Sequence, residues 1–164
     1  RRQALLRLRR RLLHMTLKPT LRPATPADLG AIEALLTRNA LPLDGVREAL
    51  PGFMVATTGE EIVGVAGLEI CCDNALLRSV AVAPDWRSRG VGRDLVNRVI
   101  VNAESRGIHG LYLLTTTAER YFPSFGFTTI DRADAPVDIQ ATDEYSFACS
   151  KTARVMKKAL AGAA

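Results

Sequence analysis

The chain has 164 residues and a mass of 17.8 kDa, with 48% apolar and 24% charged side chains. That is enough for one core and too short for two ordinary domains. No apolar run approaches the roughly 18 residues of a membrane span, so a membrane-spanning helix is excluded, and the apolar content excludes wholesale disorder. The net charge of +5 sits at one end: residues 1–14 hold six of the 22 basic residues and no acid, leaving 16 basic against 17 acidic groups elsewhere. Nucleic-acid binding by so neutral a body is disfavoured.

Residues 1–14 read as an upstream extension or a floppy, disordered tail. They are Arg-rich and acid-free like a transit peptide, without the apolar stretch of a secretory signal. Residues 15–164 make the single domain. Leu21 to Ala24 predicts a short edge strand, and Thr25-Pro26-Ala27-Asp28 supplies a cap, a first-turn proline and an acid for the helix dipole. Leu29, Ile32, Leu35 and Leu36 give that helix its buried stripe, Asn39 to Pro42 ends it, and Gly45 to Leu50 adds a second short helix.

Phe53 to Thr57, Ile62 to Cys71 and Leu76 to Val82, separated by turns at Thr58-Gly59-Glu60 and Cys72-Asp73-Asn74, predict three consecutive antiparallel strands. A helix from about Gly90 to Arg106 buries Leu95, Val96, Val99, Ile100 and Ala103 on one face and stops at Gly107. Leu111 to Thr115 is a buried strand and Ala118 to Phe125 a short helix. Closing strands are expected near Phe127 to Ile130, Tyr145 to Cys149 and Arg154 to Lys157. The class is α/β (α+β), a mixed and mostly antiparallel sheet of six to seven strands flanked by about four helices.

Cys71, Cys72 and Cys149 form no C-x-x-C pair and meet no histidine cluster, so neither a disulfide framework nor a metal site is expected. They read as half-buried strand thiols, in keeping with a reducing cytoplasm. His14 and His109 have no partners for a nucleophilic triad.

The chemistry concentrates where the strand ending at Val82 runs through Ala83-Pro84-Asp85-Trp86-Arg87-Ser88-Arg89-Gly90-Val91-Gly92 into the long helix. Glycines at 90 and 92 admit a ligand to the main chain, and the free amides of the helix start form an anion cradle, with Arg87, Arg89 and Arg93 around it. The dinucleotide fingerprint would need glycine where Leu95 stands, and the triphosphate loop would need Gly-Lys-Ser/Thr; neither is met. A bare Gly-x-Gly turn at a helix start is also ordinary structure.

Arg87-x-x-Gly90-x-Gly92, after Val80-Ala81-Val82 and before a helix, resembles the coenzyme A signature Arg/Gln-x-x-Gly-x-Gly/Ala of the GNAT superfamily of N-acetyltransferases. The element order from about Thr20 onward is similar to that fold. The resemblance implies that acetyl-CoA is the co-substrate, with its pyrophosphate on the amides around Val91 to Arg93 and its pantetheine arm along Val80, Ala81 and Val82. It also implies coenzyme contacts from Arg87, Ser88, Arg89, Gly90, Gly92 and Phe122. Leu76-Leu-Arg-Ser-Val-Ala-Val82, Leu111-Tyr-Leu-Leu-Thr-Thr-Thr-Ala-Glu119 and Phe125-Gly-Phe127 look like the arsenic-resistance N-acetyltransferases and, more loosely, the glutamate N-acetyltransferases. The acceptor so implied is a small α-amino acid of glutamate-like shape, such as an arsenic- or phosphorus-containing analogue.

The family commonly places a tyrosine four residues before the glycine of the Gly-Phe pair to protonate the departing thiolate. Phe122 stands there, and Tyr121, one residue earlier, would point about 100° away around a helix. Tyr121 is the candidate acid, although a thiol with pKa about 8.5 leaves readily without one. An α-amine near pKa 7.8 costs about 1 kcal/mol to deprotonate at pH 7, against about 4.6 for a lysine near 10.4, so a weak base suffices. Glu69 is the candidate base, with an exposed strand-end acid as the plain alternative.

Arg78, in an apolar strand, needs an anion, which is either the substrate carboxylate or an internal salt bridge. Ser79 and Thr115, Thr116 and Thr117 offer hydroxyls where two strand ends should diverge, though threonine is ordinary strand filling. Competing readings are a protein N-terminal or lysine acetyltransferase on the same fold, and a coenzyme A-binding module without catalysis. The sequence leaves a homodimer open.

Overall fold

A computed structural model describes residues 1–16, 18–148 and 152–160; Leu17 and Cys149 lie outside the described residues. The elements in chain order are α1 (Arg2–Thr16), β1 (Thr20–Pro23), α2 (Leu29–Arg38), α3 (Val46–Ala49), β2 (Phe53–Thr58), β3 (Glu61–Cys71) and β4 (Asn74–Val82). They continue with α4 (Val91–Ser105), β5 (Gly110–Thr115), β6 (Thr128–Ile130), α5 (Val137–Gln140) and β7 (Arg154–Ala159). One seven-stranded sheet has the order β1-β2-β3-β4-β5-β7-β6, and β4–β5 is its parallel pair. No described helix is long and apolar enough to cross a membrane.

The apolar periods read from the sequence are the faces that the fold buries. Ile32, Leu35 and Leu36 of α2 and Leu95, Val96 and Val99 of α4 are fully enclosed. β3 is buried without alternation from Val63 to Leu68, as befits a strand covered on both faces. A smaller cluster of Leu76, Tyr112, Ile139, Tyr145 and Val155 fills the far end of the sheet.

Three expectations change. The basic extension is the helix α1, whose Leu5, Leu8 and Leu12 remain more than half exposed and whose Arg10 reaches Glu61 at 4.0 Å. Ala118 to Phe125 forms one 3₁₀ turn, Phe122–Phe125, because Thr115 Oγ1 accepts the Ala118 N–H (2.9 Å) and Pro123 cannot donate. Around Tyr145 the chain makes a π-helical turn, Glu144–Ala148, in place of a strand. There the Tyr145 hydroxyl donates to the Arg132 carbonyl, Arg132 stacks on the Tyr145 ring at 5.0 Å, and Thr142 Oγ1 accepts the Tyr145 N–H. These local bonds override the strand preference of an aromatic segment.

The entry to α2 is pinned by Asp28, whose carboxylate accepts both prongs of the Arg22 guanidinium (2.7 and 2.9 Å) and the Thr25 N–H (2.7 Å). The Arg22 hydrogen bonds hold this carboxyl well below the usual range. A depressed carboxyl contributes stability above the unfolded pKa of about 3.9, and that stability is lost as pH falls toward the folded value. Asp28→Asn should therefore cost about 1–2 kcal/mol at pH 7, and less at pH 3. Urea titrations at the two pH values check this.

Candidate active site

β4 pairs with β5 only through Asn74–Gly110, Ala75–Leu111 and Leu76–Tyr112. Beyond Leu76, β4 stays with β3 as far as Val82–Gly64, while β5 stays with β7 as far as Thr115–Arg154. The two central strands thus splay apart and leave the β5-facing edge of β4 without a strand partner. A bulge accompanies the splay: Arg78 and Ala81 of β4 oppose Gly67 and Val65 of β3, so β4 holds one extra residue, and Ser79 takes φ +58°. Gly67 permits the close pairing because the Phe53 ring fills the place that its Cβ would take.

At the wide end of the splay, a 3₁₀ turn at Pro84–Trp86 buries Trp86, and the loop reverses through Ser88 (φ +62°) and Gly90 (φ +82°) into α4. The first helical bond runs from the Asp94 N–H to the Gly90 carbonyl (3.0 Å), so the Val91, Gly92 and Arg93 amides are the orphan donors of the helix start. A side chain at Gly90 would meet nothing within 4 Å; one at Gly92 would contact Tyr121 and Val82. The arginines around this cradle are individually placed: Arg87 donates to Asn39 Oδ1 (2.9 Å), Arg89 lies over Trp86 (5.1 Å), and Arg93 lies over Phe125 (4.9 Å).

Val80 and Val82 are half-buried on the splayed strand, and Ala81 is buried beside them. Thr115 ends β5 with its hydroxyl committed to the Ala118 N–H, while Thr116 and Thr117 follow exposed at the mouth. Phe122 is a core residue, edge-on to Phe127 at 5.9 Å and 7% exposed. Tyr121 caps the 3₁₀ turn and is not on an α-helix, and its hydroxyl approaches Gly92. Among the described residues no group of three His, Cys, Asp or Glu side chains could hold a metal ion.

Arg78 and Glu69 come together. The Arg78 side chain is fully buried; Nη1 lies 3.6 Å from Glu69 Oε2, Nε lies 3.6 Å from Glu144 Oε2 and 3.2 Å from Ser79 Oγ, and Nη2 donates to the Asp44 carbonyl. The arginine is thus held by an internal salt-bridge network. Neither Glu69 Oε2 nor Arg78 Nη1 completes a hydrogen bond. Burial pushes the Glu69 carboxyl up, Arg78 opposes, and Asp143 and Glu48 add to the rise. Gly45, at φ +76°, closes over the pair: a Cβ there would stand 2.9 Å from Arg78 Nη1.

Sequence reasoning missed Glu144, Asp143 and the Asp44–Gly45 turn. Glu144 stands just before the segment read as a strand, and no local pattern links it to Arg78. Removing one member of a buried network strands the others. Arg78→Met should cost about 3–5 kcal/mol at pH 7. The deficit should shrink toward pH 5, because Glu69, already raised by burial, then takes up a proton more readily. Urea midpoints at pH 5 and 7.5 measure both.

Comparison with known proteins agrees with this geometry. Residues 50–129 match the acetyltransferase (GNAT) domain family. The chain is 32% identical over 130 residues to an amino-acid acetyltransferase of Aeromonas salmonicida, covering 73% of this chain and 29% of that one. It is 29% identical over 140 residues to an amino-acid acetyltransferase of Mycobacterium tuberculosis, covering 77% of each. It therefore spans less than a third of the first relative and about three quarters of the second. The N-acetylglutamate synthase of Neisseria gonorrhoeae, solved with coenzyme A and N-acetyl-glutamate, superposes with a TM-score of 0.75 at 21% identity, covering 88% of this chain and 35% of that one. The chain carries a GNAT acetyltransferase domain, matched over residues 50–129.

Proposed function

We propose that this domain transfers acetyl directly from acetyl-CoA to the α-amine of a small amino acid, with a glutamate-shaped acceptor such as an arsinothricin- or phosphinothricin-like analogue. The observation that carries this reading is the splay of β4 from β5 with a cradle of orphan amides at its mouth. The residues present fit coenzyme A: three amides and three arginines suit its phosphates, the open space at Gly90 admits them to the main chain, and the unpaired edge of β4 suits its amide-bearing arm. When bound, the coenzyme supplies an activated thioester carbonyl. Backbone N–H groups along the edge of β4 are the donors available to polarise a carbonyl in the cleft.

The Arg78 network gives the acceptor end its chemistry. An amino acid arrives as an ammonium and a carboxylate, and its amine must lose a proton before it attacks. Glu69 takes that proton, directly or through water; its side chain is 20% exposed and borders a surface cavity of about 320 Å³, which gives the proton a way out. Once neutral, Glu69 no longer competes for Arg78, and the guanidinium turns to the acceptor carboxylate. Two charges are exchanged for two, so the buried site keeps its balance. Relatives that act on amino acids and a neighbour solved with N-acetyl-glutamate support the acceptor class, and the cytoplasm is where such a reaction would find acetyl-CoA.

Thiol release from acetyl-CoA by the full chain tests this against glutamate, phosphinothricin-like and arsenic-containing analogues, dipeptides and a lysine peptide. At least about tenfold higher kcat/KM for one glutamate-shaped amine is expected, equivalent to about 1.4 kcal/mol; equal turnover of peptides would move the acceptor to protein termini or lysines. Coenzyme binding without turnover of any amine would leave a binding module. Glu69→Gln should lower kcat about 100-fold. It should also abolish the acid limb of the pH–rate profile, which in the unaltered protein lies above the ordinary carboxylate range because the base must be ionised.

A further inference from the structure

Tyr121 has no part in the chemistry just described, yet its place is specific. A methyl group set on Gly92 would stand 3.4 Å from Tyr121 Oη and 3.5 Å from Val82 Cγ2. The phenol, the last residue of β4 and the first turn of α4 therefore meet at one point on the wall of the cleft. The ring is held edge-on by Phe122 (5.3 Å) and Phe125 (5.2 Å), and its carbonyl accepts from Ser124 Oγ (2.8 Å). Ser124 Oγ in turn accepts from Arg93 Nη2 (3.4 Å), whose guanidinium lies over Phe125. Aromatic packing and the Ser124 turn thus fix the phenol beside Arg93.

Among the described residues the Tyr121 hydroxyl has no hydrogen-bond partner, although the residue is 38% exposed and not deeply buried. Burial pushes the phenol up, with Arg93 partly opposing, so the hydroxyl remains a proton donor through the neutral range. An unengaged donor, three orphan amides and an arginine consequently surround one spot. In coenzyme A the pyrophosphate and the thiol lie at opposite ends of the pantetheine arm. A hydroxyl at the amide cradle stands at the phosphate end and is remote from a departing thiolate.

We propose that Tyr121 is a coenzyme-binding residue, donating its hydroxyl to the pyrophosphate beside the Val91–Arg93 amides, and is not the acid that protonates the leaving thiolate. The assignment rests on the coenzyme reading above. The thiolate then departs without a dedicated side-chain acid, which a leaving group of pKa about 8.5 allows at neutral pH.

Calorimetric titration of the full chain with coenzyme A, before and after Tyr121→Phe, tests this together with kcat/KM for acetyl-CoA and for S-acetylpantetheine, which lacks the pyrophosphate. The substitution removes one oxygen and keeps the aromatic contacts, so the fold is retained. Loss of a hydrogen bond to a charged group should weaken coenzyme A binding about tenfold. The ratio of kcat/KM for acetyl-CoA over S-acetylpantetheine should fall by the same factor. Equal coenzyme A affinity in the two proteins, or a loss of kcat shared alike by both donors, would overturn the assignment alone. Absence of coenzyme A binding by the unaltered protein would overturn the coenzyme reading and this assignment with it.

Discussion

β4 carries one residue more than the stretch of β3 it pairs with, and the site depends on that surplus. Had the ladder run on in register, β4 and β5 would have stayed paired and the middle of the sheet would be closed. With the surplus absorbed at Ser79, β4 turns from β5 after Leu76. Arg78, the last residue before the bulge, lies in the interior between Glu69 and Glu144, and Val80 to Val82 follow it along the edge that faces away from β3. Opening the cleft costs the β4–β5 hydrogen bonds beyond Leu76. Burial on the flanks, where the apolar stripes of α2 and α4 are enclosed in the core, offsets that cost.

The electrostatics of the interior follow from the same turn of the strand. Around a single buried guanidinium the chain gathers Glu69 and Glu144 at 3.6 Å, the Asp44 carbonyl, and Asp143 close enough to raise Glu69. Isolated carboxylates in so enclosed a place would be neutral, and an isolated guanidinium would not be there at all. Together they form a site that is short of positive charge and holds a proton on Glu69 with unusual ease. Under the function proposed above, such a site would receive an ammonium and accept its proton, which a fully matched ion pair would not do. The amide cradle at the other end of β4 is rich in donors and arginines. The cleft therefore runs from an anion-seeking end to a cation-seeking one.

Much of this was legible in the sequence where the cause is local. The glycines at 90 and 92, the stripes of α2 and α4 and the three-strand meander are set by backbone freedom and by hydrophobic period, which act within a few residues. The failures share the opposite character. Tyr145 and Phe147 look like strand residues, but a side-chain bond from Tyr145 to Arg132 makes a π-helical turn there. Glu144 meets Arg78 only because that turn packs beneath β4. Ser79 reads as a polar residue in a strand; its left-handed backbone is imposed by β3, not by its own chemistry. The Arg78 alternatives stayed open for the same reason, since its internal partners come from β3 and from a segment far along the chain.

This division explains how the fold persists at low identity. At 21% identity the neighbour from Neisseria gonorrhoeae keeps the architecture over 88% of this chain. The cradle asks little of side chains: it needs backbone amides, a glycine at positive φ and a splayed strand, and many sequences satisfy those demands. The Arg78 network asks for particular groups converging from β3, β4, the turn before α3 and the segment after α5. Each of those positions can change independently, so the network can drift while the backbone cradle stays fixed. Identity at Arg78, Glu69 and Glu144 therefore says more about whether this buried network is kept than overall similarity does, and identity around Gly90 and Gly92 says almost nothing about it.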